Sequence, residues 1–480
     1  MSTARKRSSS TSSSSAKRDG KHAVSSPTVP QTSVSLPAPD DREGWRTHWQ
    51  TQGQPWRTEL EIDQKRQAEL DQRRAIAPNI EKGIYPFKDM KLTRADVEWL
   101  LATHENGRGP VDWSDEKQRG REGLDLRGAY LDQVDLSDLP LARLQGGLAR
   151  IEWDHYGLSE YQRNNAGVFM QGTLLRGAQL QGAEFYRAHL ESADLSRAQL
   201  QEAECRSASL KGAILREANL EGAYLIAANL EGAFLMRANL KGVHLEKANL
   251  VRVVLKWSKL GDEKGIGPRL ADIDWGNTNL AVVDWGLVKT LGDEYEACQR
   301  KKKDGTIKDR QTQIKGYHAA VRANRQLAMV LQSQGISEEA VRFAYRAQVL
   351  QKHVFFHQML EPRTKIRQKV RTLGIWLFSW FLFLIAGYGY RPGRSFLAYL
   401  LIITGFAIAY YVLGHTAGPL LSPLGAFVFS MTSFHGRGFF PGNNISLDGP
   451  LTVLAALEAL VGLIIEVTFI ATLTQRFFNR

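Results

Sequence analysis

Between Met170 and Leu260 an apolar residue returns at every fifth position, as at Leu175, Leu180, Phe185, Leu190 and Leu195, and a small one stands two places before it, as at Ala178, Ala183 and Ala188. A helix repeats about every 3.6 residues and a strand every second, so neither keeps a five-residue pattern on one face. A chain that bends at every repeat and is square in section does keep it, with the large residues inside. Leu126, Leu131, Leu136 and Leu141 carry the same spacing out of phase, which makes residues 146–167 an insertion. The loop at 261–270 interrupts the pattern, and Trp275, Leu280 and Trp285 resume it as aromatic plugs. The repeat domain is expected over 121–290.

On either side the period is helical. Residues 55–120 predict a helical cap region: a charged helix over Glu59–Arg74, then one starting at Thr93 and Asp96 in capping-box fashion with Val97, Leu100 and Leu101 on its apolar face. Residues 313–372 predict two antiparallel helices turning at Gly335, with Leu327, Leu331, Ala340, Phe343 and Ala347 in contact. They form a helical neck whose second helix runs on through Arg363–Arg371. Three apolar stretches follow, Leu373–Ala386, Phe396–Leu413 and Leu451–Leu473. The last two are long enough to span a bilayer, whereas the first, about fourteen residues rich in Trp and Phe, is expected to lie at the inner interface as a helix over 373–388. Between the two spans, Ser422 and Pro423 start a helix about ten residues long, too short to cross, and the glycine-rich HGRGFFPGNN turns it back. Irregular backbone at membrane depth survives where protein or a water-filled cavity satisfies its amides. Residues 396–476 are thus expected to form a transmembrane helix, a re-entrant helix with a hairpin, and an inner transmembrane helix.

Charge sharpens this division. The chain of 480 residues has a net charge of +12, and its first 22 residues hold six Lys/Arg against one Asp. Residues 1–45 are basic and serine-rich with few bulky apolar groups, so a disordered tail is expected. It offers no apolar run for a cleaved signal, which predicts a cell-membrane, multi-pass protein with its N-terminal region in the cytoplasm. The basic clusters at Arg300–Arg310 and Arg363–Arg371 precede the apolar region and suit anionic lipid better than nucleic acid. Cys205 and Cys298 are the two cysteines, too few for a disulfide framework or a zinc site. Paired carboxylates, phosphate loops and catalytic triads are not recognisable, so neither an enzyme nor a cofactor is expected.

The repeats quoted as ADLSR, ANLEG and ANLKG resemble those of pentapeptide-repeat proteins. That resemblance implies a right-handed quadrilateral β-helix of four repeats per coil. Some members of that family mimic DNA, which needs an acidic column. Here the 12 Lys/Arg and 9 Asp/Glu between 170 and 260 nearly balance, so a spacer or a docking wall for a cytoplasmic protein is expected instead. The helical pair at 315–360 is similar to a single tetratricopeptide-type hairpin. The segment FSMTSFHGRG resembles the pore helix and filter of tetrameric two-helix potassium-type channels, with Gly436, Arg437 and Gly438 where that family has G-Y-G. ALEALVGLIIEVTFIATLTQRFF is similar to their inner helix, with Gly462 near the gating hinge. The fold class implied is multidomain: a pentapeptide-repeat solenoid, an α-helical neck and an α-helical pore module, assembled as a homotetramer that passes monovalent ions.

Ser433, Phe434, His435, Gly436, Arg437 and Gly438 are the filter-like candidates. Phe434, His435 and Arg437 replace small, β-branched and tyrosine residues of the family, so potassium selectivity is not implied. Arg437 either points sideways, where it would pair with Glu458, or faces the lumen, where four arginines would repel cations. His435 is either hydrogen-bonded inside the hairpin or a proton-sensitive filter residue. Glu466 sits in an apolar helix, where an ionisable group is costly unless paired or wet, and either lines the cavity or is held internally. Glu458, two turns earlier, is a second lining residue or a partner in the surrounding cuff.

Overall fold

The structure, a computed structural model, describes residues 36–153, 158–302, 305–361, 366–417, 421–436 and 449–478. Helix α1 (Arg42–Thr51) begins inside the stretch expected to be disordered, because Trp45 and Trp49 are buried and the Arg57 guanidinium lies 3.6 Å over the Trp49 ring. Helix α2 (Gln64–Arg74) starts later than the charge pattern implied. Asp63 caps it, while the backbone amides of Thr58 and Glu59 are drawn to the buried Glu98 carboxylate at 2.9–3.0 Å. Helix α3 (Arg94–Ala102) has the reciprocal capping box of Thr93 and Asp96, and the short turn α4 (His104–Gly107) follows it. Val97, Leu100 and Leu101 close the first end of the repeat core.

From residue 121 the chain winds. Each side is a tight turn followed by one parallel bridge. Phe169 pairs with His189, Leu174 with Asp194, Gln179 with Gln199 and Glu184 with Glu204, so every fourth side meets the one beneath it. The turn is closed by hydrogen bonds such as Ala178 N–H to Leu175 O at 3.2 Å, and the residue at its corner has positive φ, 66° at Gly177 and 57° at Arg187. Among the described residues each wall is a ladder of isolated bridges, without extended strands, and further backbone hydrogen bonds such as Leu175 N–H to Asp194 O at 2.7 Å and Gly177 N–H to Ser196 O at 2.9 Å tie each coil to the next. Leu175–Leu255 line the interior at 0–3 % exposure, with the preceding alanines at 0 %. On one wall the Asn239 amide donates to Asn219 at 2.9 Å, and the Asn249 amide to Asn229 at 3.1 Å.

The insertion carries α5 (Arg150–Trp153) and α6 (Glu160–Asn164), with Leu148 and Ala166 packed on Tyr85 and Tyr186. The ladder skips across it, from Tyr130 to Phe169. A second skip, from His244 to Arg269, accommodates the loop at 261–270. Beyond it α7 (Gly292–Cys298) lies against α8 (Arg310–Ser333), which pairs with α9 (Ser337–Met359).

This helical pair is more than a neck, because it is also the lid of the solenoid. Phe343 meets Trp285 edge-on at 6.1 Å, and Leu327, Leu331 and Ala340 join the same continuous core. The Gln334 side chain accepts from Leu280 N–H at 2.7 Å and donates to Thr278 O at 2.8 Å. Arg346 grips the Glu294 carboxylate at 2.7 and 2.8 Å. Helix α9 ends at Met359, short of the basic cluster it was expected to carry, since Pro362 lacks the amide a helix needs.

Helix α10 (Ile366–Ala386) is correspondingly longer than its apolar stretch and takes in Arg367, Lys369 and Arg371. It lies alongside α9 in the opposite direction: Trp376 faces Phe356 at 6.1 Å, and the Lys352 ammonium sits 3.9 Å over Trp380 and 4.0 Å over Phe383. A turn at Gly387–Gly389 then leads to α11 (Pro392–Ala417), α12 (Pro423–Phe434) and α13 (Pro450–Phe478). Three segments, Ile366–Gly389, Gly393–His415 and Pro450–Ala471, are long and apolar enough to cross a membrane, one more than the sequence reading expected.

Candidate functional site

The three C-terminal helices pack together, with α12 about half the length of its neighbours. Ser422 caps it by accepting from Gly425 N–H at 3.0 Å, and Pro423 occupies the first helical position, where a missing amide costs nothing. Near its start, Ala426 and Phe429 join Tyr410, Leu451 and Ala455 in one apolar cluster, with Leu413 and Leu421 at its edge. The chain before α12 and the chain that begins α13 therefore meet at the same end of the bundle. The far end of α12 sits deeper, where Phe434 contacts Ile403 and Ile465.

A stripe on α13 faces α12. At the first position Glu458 is fully buried and bridges all three helices: Tyr410 Oη of α11 donates to it at 2.6 Å, and Ser430 Oγ of α12 lies 2.5 Å away. Ser430 Oγ is also 2.8 Å from the Ile403 carbonyl. One turn along, Gly462 abuts the end of α12 so closely that a Cβ there would stand 2.0 Å from the Phe434 carbonyl oxygen. One turn further, Glu466 lies 3.5 Å from His435 Nε2, which is 3.4 Å from Tyr399 Oη. Both Glu466 and His435 are partly exposed, at 36 % and 40 %.

Several sequence-based assignments change in this light. Ser433 and Phe434 are the last turn of α12 and are buried, so they anchor the helix instead of forming a hairpin. His435 is its C-cap, and Gly436, with φ of 68°, starts the departure. Arg437 and Gly438 lie outside the described residues, as does the rest of the hairpin to residue 448. Glu458 faces its own chain's helices, and its oxygens are engaged there by Tyr410 and Ser430. Gly462 lies within an unbroken helix, and close packing by itself accounts for the glycine.

Tyr399, Tyr410 and Ser430 were missed by sequence reasoning. The two tyrosines are eleven positions apart on α11, about three turns on one face. Polar aromatic groups at that spacing in an aliphatic helix are a usable signal. In the solenoid, Cys205 is an interior residue whose thiol is pushed up to about 12 by burial, as suits an inert core group. Among the described residues no cluster of His, Cys, Asp and Glu could hold a metal ion.

Comparison with known families identifies Pentapeptide repeats in 8 copies, matched over residues 170–204, 203–242 and 218–256. No curated protein sequence matches the chain. Among solved structures the chain is similar to HetL, a pentapeptide repeat protein involved in heterocyst differentiation regulation from the cyanobacterium Nostoc sp. Strain PCC 7120. It is 22 % identical, covering 38 % of this chain and 70 % of that one, with a TM-score of 0.21. It is also similar to Rfr23, a pentapeptide repeat protein from the cyanobacterium Cyanothece 51142, at 27 % identity over 30 % of this chain and 87 % of that one, with a TM-score of 0.14. QnrB1, a plasmid-mediated fluoroquinolone resistance protein, shares 13 % identity over 32 % of this chain and 77 % of its own, with a TM-score of 0.16. Superposition at such scores is poor. The repeat assignment rests on the family match and on the ladder of bridges.

Proposed function

We propose that the C-terminal helices of four copies assemble around a water-filled axis as an ion-conducting pore, and that the pentapeptide-repeat solenoid is its cytoplasmic docking or regulatory domain. The observation that carries this reading is the half-length α12, whose start shares one apolar cluster with the start of α13 while its other end stops midway along it. A segment that enters and leaves on one side needs polar surroundings for the backbone at its tip, and a pore supplies them. One chain has a single such hairpin, which cannot enclose a pathway; a homotetramer closes it. Glu466, partly exposed beside the end of α12, would then put four carboxylates at the inner mouth and favour cations.

In this assembly α11 and α13 cross the cell membrane while α10 lies on its inner face. Spanning by α10 would draw the charged α9 into lipid along with it, since the two share Lys352, Trp380 and Phe383. With α10 at the interface, Arg367, Lys369, Arg371, Arg391 and Arg394 all fall on the cytoplasmic side, as does the N-terminal region. The solenoid is read as a right-handed quadrilateral β-helix. Its movements reach the pore through α9, α10 and the Gly387–Gly389 turn. Bending of α13 at Gly462 would part it from Phe434 and so change the level at which the hairpin begins.

The second reading is a non-conducting membrane-anchored scaffold, favoured by the 8 matched repeat copies. Neither reading is enzymatic. Purified full chain in planar bilayers separates them. Reproducible unitary currents that change amplitude in Glu466→Gln support the pore, and silent bilayers with intact protein support the scaffold. Ion-replacement reversal potentials would then identify the conducted species.

A further inference from the structure

Between the end of α9 and the beginning of α10 lies a cleft of about 420 Å³. Its walls include Phe355 and Gln358 from α9, and Lys369, Arg371, Thr372 and Ile375 from α10. Both cations come from α10, hydrogen-bonding groups come from both helices, and Phe355 and Ile375 add apolar surface. Among the described residues neither cation has a carboxylate partner. The next turns of α10 divide into two faces. Trp376, Trp380 and Phe383 are turned to α9, whereas Leu377, Phe378 and Leu384 are 55–63 % exposed. A basic, polar cleft on a helix that also carries uncovered apolar side chains matches a molecule with an anionic head and acyl chains.

We infer that this cleft binds the phosphoryl headgroup of an anionic phospholipid, with Lys369 and Arg371 holding the phosphate and the acyl chains lying along the Phe378 face of α10. This deepens the proposal that α10 rests on the inner membrane surface, and depends on it. A zwitterionic headgroup brings its own cation to the same two basic residues and is disfavoured. The bound lipid would fix the distance between α9 and α10, and thus the position of the solenoid lid relative to the bilayer. Free phosphate shares the charge but not the chains, so the uncovered apolar side chains give it no advantage.

The test uses full-length protein in nanodiscs, with single nitroxide labels at Phe378→Cys or Lys369→Cys in a background of Cys205→Ala and Cys298→Ser. Relaxation by oxygen and by a water-soluble nickel chelate reports the depth of position 378. Tryptophan quenching by brominated phosphatidylglycerol, compared with brominated phosphatidylcholine, reports headgroup preference in the unlabelled protein. The expected result is a shallow position 378, stronger quenching by the anionic lipid, and an apparent affinity about thirtyfold weaker in Lys369→Gln/Arg371→Gln, from two juxtamembrane charges. Equal quenching by both lipids, or a preference unchanged in the double variant, overturns the headgroup site while a shallow position 378 leaves the interfacial helix standing. A position 378 at the bilayer centre overturns both. Abolition of the preference by millimolar inorganic phosphate assigns the cleft to a free anion and overturns the lipid.

Discussion

Glu458 shows why a single residue in an apolar helix repays a count of its hydrogen bonds. Its two oxygens reach hydroxyls on α11 and α12, so replacement by alanine strands Tyr410 and Ser430 in the bundle. Glu458→Ala is expected to destabilise the helical module by about 1–2 kcal/mol, and Glu458→Gln, whose amide both donates and accepts, by much less. Unfolding in detergent micelles followed by tryptophan emission measures both, and equal losses would show that the carboxyl's charge, not its hydrogen bonds, matters. Gly462→Ala meets a backbone carbonyl that has no rotamer with which to yield, and about 1–3 kcal/mol should be lost there too. In α7, burial pushes the Asp293 carboxyl up to about 7, although it accepts from Leu270 N–H at 2.6 Å. Since the folded form holds this proton more tightly than the unfolded one, the associated stability is complete below about pH 4 and is lost as pH rises through about 7. Asp293→Asn should therefore raise the melting temperature at pH 8 and leave it nearly unchanged at pH 4. A gain of equal size at both pH values would remove titration as its cause.

At the scale of elements, the contact between α9 and α10 decides how the soluble and membrane parts meet. Lys352 is buried with its ammonium against two aromatic rings, an arrangement worth about 0.5–2 kcal/mol. Lys352→Glu reverses the attraction to both ring faces. Amide exchange over residues 376–386 is expected to quicken in that variant while exchange in the repeats stays as it was. If α10 were held only by lipid, its exchange would not respond. The repeats make a comparable point: backbone hydrogen bonds such as Leu175 N–H to Asp194 O and Gly177 N–H to Ser196 O tie each coil to the next, while stacked leucines fill the space between the walls. Leu220→Ala, at a fully enclosed interior position, should cost about 2–5 kcal/mol and quicken exchange most in the adjoining coils.

For the whole molecule, a shared core between the last coil and α8–α9 means that these parts should melt together. Calorimetry of the soluble portion within the full chain should show the solenoid and the helical pair in one transition, and two separated transitions would contradict the continuity through Trp285 and Phe343. Much of this organisation was legible in the chain. A five-residue period is readable because every repeat poses the same local problem, one side chain inside and one small residue beside it, and the solution recurs without reference to distant parts. Apolar length and the Ser422–Pro423 start were legible for the same reason, since bilayer thickness and helix capping are local constraints. The partners of Glu458, the packing duty of Gly462, the second role of the helical pair as a lid and the pairing of α10 with α9 were decided only in three dimensions. Each depends on which faces meet after the chain has turned back on itself, and residues such as Ser430 and Glu458, 28 positions apart, carry no mark of one another in the order of the sequence.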